Sequence, residues 1–422
     1  DVYKRQVQGA IVGITVGATT ERNGEAGLLA EARSLEVGGV TVSIDTASLT
    51  TNLDARVQIG NNARVDGTML SISAGQVQSV DVKMDAGTIA LVAGRQGKID
   101  VEVGGKSAID ISGGAQVSGN KLDIRSNNTV RGTSTLSGYS VRVAGADVSK
   151  HTVSIKPEST ITITGSRQAT DTITSAGMTV VQARGDFGTP GMLDLVTTND
   201  IIYTQKNKIT GVAGVSVTLS TNHLITDGSL SQVKVDGAFL RNAFGDVVMA
   251  ANTRGVTTTI SDLLVVSVSS FSKSDSNNDL TVRNSILIDN SSIEADSILA
   301  LAGNGKASDP LSTGYLLAND NVSFTLVGIA QIPDVDSGAK ARQINTVLID
   351  GVSSSGSLLK AQRNVRLETN PSTLDQAKVN GTVQVIGLNL NPTAKLADGV
   401  VDTTSSKVAT GAATQILSLI HI

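Results

Sequence analysis

Two stretches decide how this chain is read: ARVDGTMLSI (Ala63–Ile72) and AQVSGNKLDI (Ala115–Ile124). They lie 52 residues apart, from Ala63 to Ala115. Val65 matches Val117, Leu70 matches Leu122, Ile72 matches Ile124, and Gly67 matches Gly119. A looser pair recurs further on. Ile293, Ala295, Leu299 and Leu301 match Leu359, Ala361, Val365 and Leu367, 66 residues later. Upstream of these, Ile286-Leu287-Ile288-Asp289 matches Val347-Leu348-Ile349-Asp350. Each unit reads as strand, small corner residue, strand. One such unit cannot bury its narrow apolar face alone, whereas stacking the next unit on it does so and pairs its backbone. The expectation is an all-β solenoid with degenerate repeats, Val65, Leu70, Ile72, Val117, Leu122 and Ile124 facing inward, and Gly67 and Gly119 at corners.

The rest of the chain agrees in period. Val42-Ser43-Ile44-Asp45, Val80–Met84, Ile99–Val103, Val153–Lys156 and Ile161–Thr164 alternate apolar and polar residues, the signature of half-buried strands. Gly60-Asn61-Asn62, Gly104-Gly105, Gly113-Gly114, Ser126-Asn127-Asn128 and Asn277-Asn278 read as separators. Glu25–Val37 is the one helical pattern, and spacing is less regular around 185–260. Composition points the same way. Of 422 residues 43 are Gly, hydrophobic residues reach 40%, aromatics are 2%, and Trp and Cys are absent. A core without large rings must be thin. With a coil of about 20–25 residues and ~4.8 Å between strands, the stack is expected to be a rod of roughly 80–95 Å. The alternative is a β-sandwich array, which favours buried aromatics and a period near ~100 residues.

The termini read differently. LSLIHI (Leu417–Ile422) can be written in codons whose antisense strand encodes DVYKRQ (Asp1–Gln6). Both are therefore expected to be a translated sequencing-library tag, leaving 7–416 as the repeat region and an internal piece of a longer protein. Without the tag's Lys4, Arg5 and Asp1, the 34 basic and 38 acidic residues become 32 and 37, a net charge of −5. That balance carries no footprint for nucleic acid and no polybasic membrane patch. Leu263–Phe271 is among the most apolar runs and falls far short of the ~20 residues of a spanning helix.

Val40–Ala74, VTVSIDTASLTTNLDARVQIGNNARVDGTMLSISA, together with Gly114–Ser126, resembles the repeat of large secreted bacterial adhesins. These are the filamentous-haemagglutinin-like exoproteins, including the leukotoxin-type filamentous adhesins. The resemblance implies a right-handed parallel β-helix, export through an outer-membrane secretion pore, and a secreted or cell-surface location. It implies a non-catalytic stalk that attaches to host cells, matrix or other bacteria, without inserting into a membrane. Two further readings are a β-helix polysaccharide lyase or hydrolase and part of a secreted cytolysin.

Little else in the sequence suggests chemistry. Outside the tag the only histidines are His151 and His223, expected at the surface, and neither has a ligand-spaced neighbour. Gly105-Lys106-Ser107 lacks the earlier Gly of a phosphate loop, since Asp100 stands there. Asp275-Ser-Asn277-Asn-Asp279 begins like a calcium loop but continues with Leu280 and Ile286, and Asp334-Val-Asp336 is thinner still, so both read as solvated loop. No cofactor, metal or catalytic residue is expected. Asp81, Asp100, Glu102, Asp110 and Asp123 lie between core positions and should point outward; an enzyme would gather such carboxylates on one face. Tyr is found outside the tag only at 139, 203 and 315, too sparse for sugar stacking. The remaining candidate is a cell-attachment tripeptide, Arg184-Gly185-Asp186, in a Gly/Pro loop.

Overall fold

In a computed structural model, the structure describes residues 6–19, 28–168, 170–185, 188–303, 314–351, 356–369, 375–389, 393–396, 399–402, 407–410 and 415–418. Glu25 and its neighbours, Asp186, and most of the two terminal tags lie outside them. The described elements are all β, and every strand pairing is parallel.

The chain climbs in coils. β1 (Gln6–Thr19) and β2 (Leu28–Ile59) form the first, and both pair with β3 (Arg64–Ile111), the second. β4 (Gln116–Thr164) is the third. β5 (Val180–Ala183), β6 (Met192–Ile225) and β7 (Ser229–Asp236) make the fourth. β8 (Phe239–Asn242) and β9 (Val247–Asp289) make the fifth. β10 (Ser292–Ala302) and β11 (Tyr315–Asp350) make the sixth. β12 (Leu358–Thr369), β13 (Gln376–Asn389), β14 (Thr393–Leu396), β15 (Val400–Asp402) and β16 (Lys407–Thr410) make the seventh, and β17 (Gln415–Ser418) pairs onto β12.

The 52-residue offset is one whole coil: Val65 pairs with Val117, Leu70 with Leu122, and Ile72 with Ile124. All six are at most 3% exposed. The expected coil of 20–25 residues is therefore corrected to 52 or more, and the long thin rod to a short, broad stack. Seven rungs at ~4.8 Å span only roughly 30 Å.

The reason lies in how each coil is flattened. In the second coil, the chain runs out along inward-facing Val65, Leu70, Ile72, Gln76, Val80, Val82 and Met84. It turns at 89–93 and returns along Arg95, Ile99, Val101, Val103, Ser107, Ile109 and Ile111. Two parallel sheets thus face each other, and their separation is set by two layers of Val, Ile and Leu. A shortage of aromatics limits the thickness of such a coil but not its circumference.

The interior alternates across its width. One aliphatic cluster holds Leu70, Ile72, Ile109, Ile124 and Ile161; a second holds Val82, Ile99, Val101, Val153 and Leu263. Between them runs a polar band. Asn128 donates to the Gly105 carbonyl (2.9 Å), Gln78 to that of Gly104 (2.8 Å), and Ser159 to Asn199 (2.8 Å). From the fifth coil on, a third aliphatic cluster of Leu280, Val282, Leu316 and Ala341 is inserted.

Several expectations need correcting. Leu28–Val37, the end of the helical pattern, lies in β2, with Leu28, Ala30 and Ala32 against the second cluster. Pairing to β3 along Val80–Ile89 overrides its local propensity. Val42 and Ile44 face outward, 76% and 71% exposed, because inward parity switches at the turn before them. Gly104-Gly105, Ser126–Asn128 and Asn277-Asn278 are strand residues, whereas 60–62 and 113–114 are turns as expected. Gly67 and Gly119 do adjoin a corner: inward parity shifts at Thr68–Met69 and Asn120–Lys121. A Cβ on Gly119 would lie 2.5 Å from the Gly67 carbonyl oxygen. In the later repeat a bulge moves the register by one, so Ile298, not Leu299, pairs with Val365. Among the described residues, irregularity within 185–260 is confined to short breaks such as 188–191, 226–228 and 243–246.

Candidate functional site

The attachment tripeptide follows β5. The Arg184 amide donates to the Gly119 carbonyl (2.7 Å), which carries the strand ladder into the loop. Its guanidinium turns back onto the coils below. Nη1 lies 3.0 Å from Asp66 Oδ1, and Nη2 donates to Ser118 Oγ. Ser118 Oγ in turn donates to Asp66 (3.2 Å), so residues of three successive coils share one carboxylate. Gly185 is fixed by sterics: a Cβ there would lie 2.0 Å from the Gly191 nitrogen, where the loop closes on itself. Asp186 lies outside the described residues. Two of the three residues thus have structural work of their own. Arg184→Ala is expected to cost no more than about 1 kcal/mol, as for other exposed ion pairs, measured by the urea midpoint.

The five outward carboxylates singled out in the sequence are dispersed, and each of the five is met by a cation. Asp81 pairs with Lys83 (2.7 Å), Asp110 with Arg56 (2.7 Å), Asp123 with Arg125 (2.7 Å), Glu102 with Lys156 (3.9 Å), and Asp100 with Lys98. Of these Glu102 borders a hollow of about 500 Å³ beside Gly104, lined also by Asp54, Lys106, Lys156 and Glu158. There Lys106 stands 3.9 Å from Glu158, so each glutamate faces a lysine. Among the described residues no group of three or more His, Cys, Asp or Glu is placed to hold a metal ion. The 275–279 segment is not a loop but part of β9, with Ser276 and Asn278 turned inward and Asp279 held by Lys340 (3.3 Å). Asp334 likewise lies in β11, 3.4 Å from Lys273.

His151 is not at the surface. It is fully buried, its Nε2 2.7 Å from Ser134 Oγ, and burial pushes its pKa down to about 3. Its neighbours Val153 and Ile155 have the same parity, which is the signal that places it inside. His223 is partly exposed, 3.2 Å from Asp275.

Two buried charge clusters were not anticipated. At the narrow tip of the coils, Asp147 lies between Arg95 (3.4 Å) and Arg142 (2.7 Å), all three side chains at most 2% exposed. Ser140 donates to Asp147 (2.7 Å), Arg142 to Ser216 (3.0 Å), and Arg95 to the Ala86 carbonyl (2.8 Å). Burial holds the Arg95 pKa below its usual value. Deeper in, the fully buried Asp320 accepts hydrogen bonds from Thr259, Ser276 (2.6 Å), Ser337 (2.6 Å) and the Gly338 amide (3.1 Å). Burial raises its pKa despite these donors. Both clusters are closed off from solvent and tie coils together. Neither offers a reacting group to a substrate.

The chain matches no family model, no curated protein and no solved structure. What fold and surface define together is a class: a parallel-coil β protein, many of whose surface charges are paired locally.

Proposed function

We propose that this chain is a right-handed parallel β-helix segment of a large bacterial surface or secreted adhesin, serving as a non-catalytic stalk. Right-handedness is the usual sense of parallel strand crossovers. The observation that carries the reading is the parallel pairing that continues from coil to coil, joined to outward carboxylates that are dispersed and mostly paired rather than gathered. Such a body presents repeated surface to host cells, matrix or other bacteria, and many weak contacts sum by multivalency. Export through an outer-membrane pore and an extracellular location follow from the same reading.

The test uses beads coated with the whole chain. Expected is adhesion to at least one of a cultured epithelial layer, a matrix-coated plate or a bacterial lawn, with no reducing ends released from a polysaccharide panel. Sugar release without adhesion would replace the stalk by the lyase or hydrolase. Asp186→Glu is expected to leave adhesion unchanged, since the Arg184 guanidinium beside it is already held by Asp66. A loss on that substitution would assign attachment to the tripeptide.

A further inference from the structure

The narrow edge of the stack, where each coil turns, exposes far more apolar surface than a solvated edge needs. Just before each turn, outward side chains stand in register: Val37, Ile89, Val141, Val212, Val266, Val327 and Ile386 form an unbroken β-branched ladder through all seven coils. Two columns flank it. Leu35, Tyr139 and Leu264 are 61%, 42% and 36% exposed on one side; Leu91, Val143, Val268 and Ile329 are 56–63% exposed on the other. At roughly 100 Å² per fully exposed aliphatic side chain, the face presents on the order of 700 Å² of apolar surface. That exceeds the ~300–600 Å² of the largest patch on a typical monomer; its first five coils alone hold roughly 550 Å², the scale of a weak, reversible interface.

The column that borders this face identifies what covers it. In register, coil by coil, it reads Arg33, Asp85, Ser137, Lys208, Asp262: plus, minus, neutral, plus, minus. Turned end over end about Ser137, the same column places Arg33 opposite Asp262 and Asp85 opposite Lys208. The flanking columns suit the same rotation, with Leu35 opposite Leu264, Tyr139 opposite itself, and Leu91 opposite Gly214. With the stacks parallel the two-fold would run along them and carry this column to the far side of the ladder, opposite Thr41, Ala93, Gly145 and Ser216, so the charge pairs would be lost. A face that is self-complementary only on reversal is the mark of an isologous two-fold. Within one copy Arg33 already pairs with Glu31 and lies 3.9 Å from Asp85, and one column further out Lys83 is held by Asp81, so Lys208 and Asp262 gain most from the second copy.

We propose that two copies of this chain associate through this edge, their stacks antiparallel, about a two-fold axis that runs along the strands and through the third coil at Val141. Gly87 shapes one socket for the contact. A Cβ there would lie 2.4 Å from the Tyr139 ring, and its absence leaves a notch of about 560 Å³ bordered by Leu35, Tyr139 and Lys208.

The test is sedimentation equilibrium of the whole chain, expected to show a dimer with a dissociation constant on the order of 1 µM. Val141→Asp, placed twice at the axis, is expected to weaken it roughly 100-fold or more. Lys208→Glu and Asp85→Lys each set like charges face to face, and each is expected to weaken association about tenfold. The double exchange restores the pairs and should return to within about threefold of the parent. Because those two residues are on the surface, the exchange decides the question even where Val141→Asp fails to fold. A chain that stays monomeric at about 100 µM, or a double exchange no tighter than its singles, overturns the proposal. So does a monomer that co-sediments with phosphatidylcholine vesicles, which would give the face to a lipid surface.

Discussion

Asp147→Ala is expected to destabilise the tip of the coils by about 3–5 kcal/mol. Asp147 is the only carboxylate within ion-pair distance of Arg95 and Arg142 among the described residues, and both guanidiniums are buried. Removing it leaves two unpaired positive charges out of water, one of which already has its pKa lowered by burial. The penalty comes from the partners left behind more than from the pair itself. Replacing all three together, with Arg95→Met, Arg142→Met and Asp147→Leu, should therefore recover most of the loss. Neighbouring coils support one another, so unfolding need not be a single step. The suitable measurement is hydrogen exchange of amides 86–95 and 139–147 in the folded chain. Protection unchanged within the ~0.5 kcal/mol typical of surface substitutions would mean that these charges are solvated.

Much of the stack is legible in the residues themselves. Val65, Leu70 and Ile72 announce both their own burial and their partners one coil away, since a conserved spacing of apolar and Gly positions within one chain needs only short-range comparison. Circumference is a different matter. Val80–Met84 and Ile99–Val103 alternate cleanly, but the turn between them at 89–93 is made by Ile89, Ala90, Leu91, Val92 and Ala93, an apolar run with no usual turn residue in it. Nothing local marks where the coil folds over. Parity is equally hidden there: the switch that turns Val42 and Ile44 outward happens at such a tip, so the same alternation fits either face.

The buried polar band shows a second limit. Ser126 and Asn128 read as separators, yet with Ser159 and Asn199 they form hydrogen bonds among themselves and to carbonyls across the gap between sheets. Their inward parity with Ile124 and Val130 was visible; that the opposite sheet would supply partners was not. Such bands help fix register, because a two-residue slip, which keeps inward residues inward, would set amides and hydroxyls among the aliphatic clusters on either side. The attachment tripeptide is the reverse case. Its pattern is plain in sequence, while the coil below it accounts for Arg184 and Gly185 without any receptor.

Asp320 gives the other large effect, and one with a definite sign in pH. Its carboxylate collects donors from both sheets and two coils, so Asp320→Ala orphans the Gly338 amide and three hydroxyls. The expected loss is about 2–4 kcal/mol near pH 4 and becomes smaller as pH rises to 8. Asp320→Asn keeps the shape and most partners but removes the charge. A carboxyl whose folded pKa lies above the unfolded 3.8 holds its proton more tightly when folded. Its contribution is complete below pH 3.8 and is lost as pH rises through the folded value. Wild type and Asp320→Asn should therefore be close in stability near pH 4, with the variant the more stable at pH 8. The wild-type decline does not vanish in the variant. Asp375, raised by burial to about 6, and Asp289, raised by burial and by Asp236 and Asp350 stacked in register with it, lose stability in the same direction. The variant's slope is shallower but not flat. Urea midpoints taken at half-unit steps from pH 4 to 8 separate the possibilities. Parallel curves for wild type and Asp320→Asn would place water at that carboxylate, since only a hydrated Asp320 could titrate alike folded and unfolded.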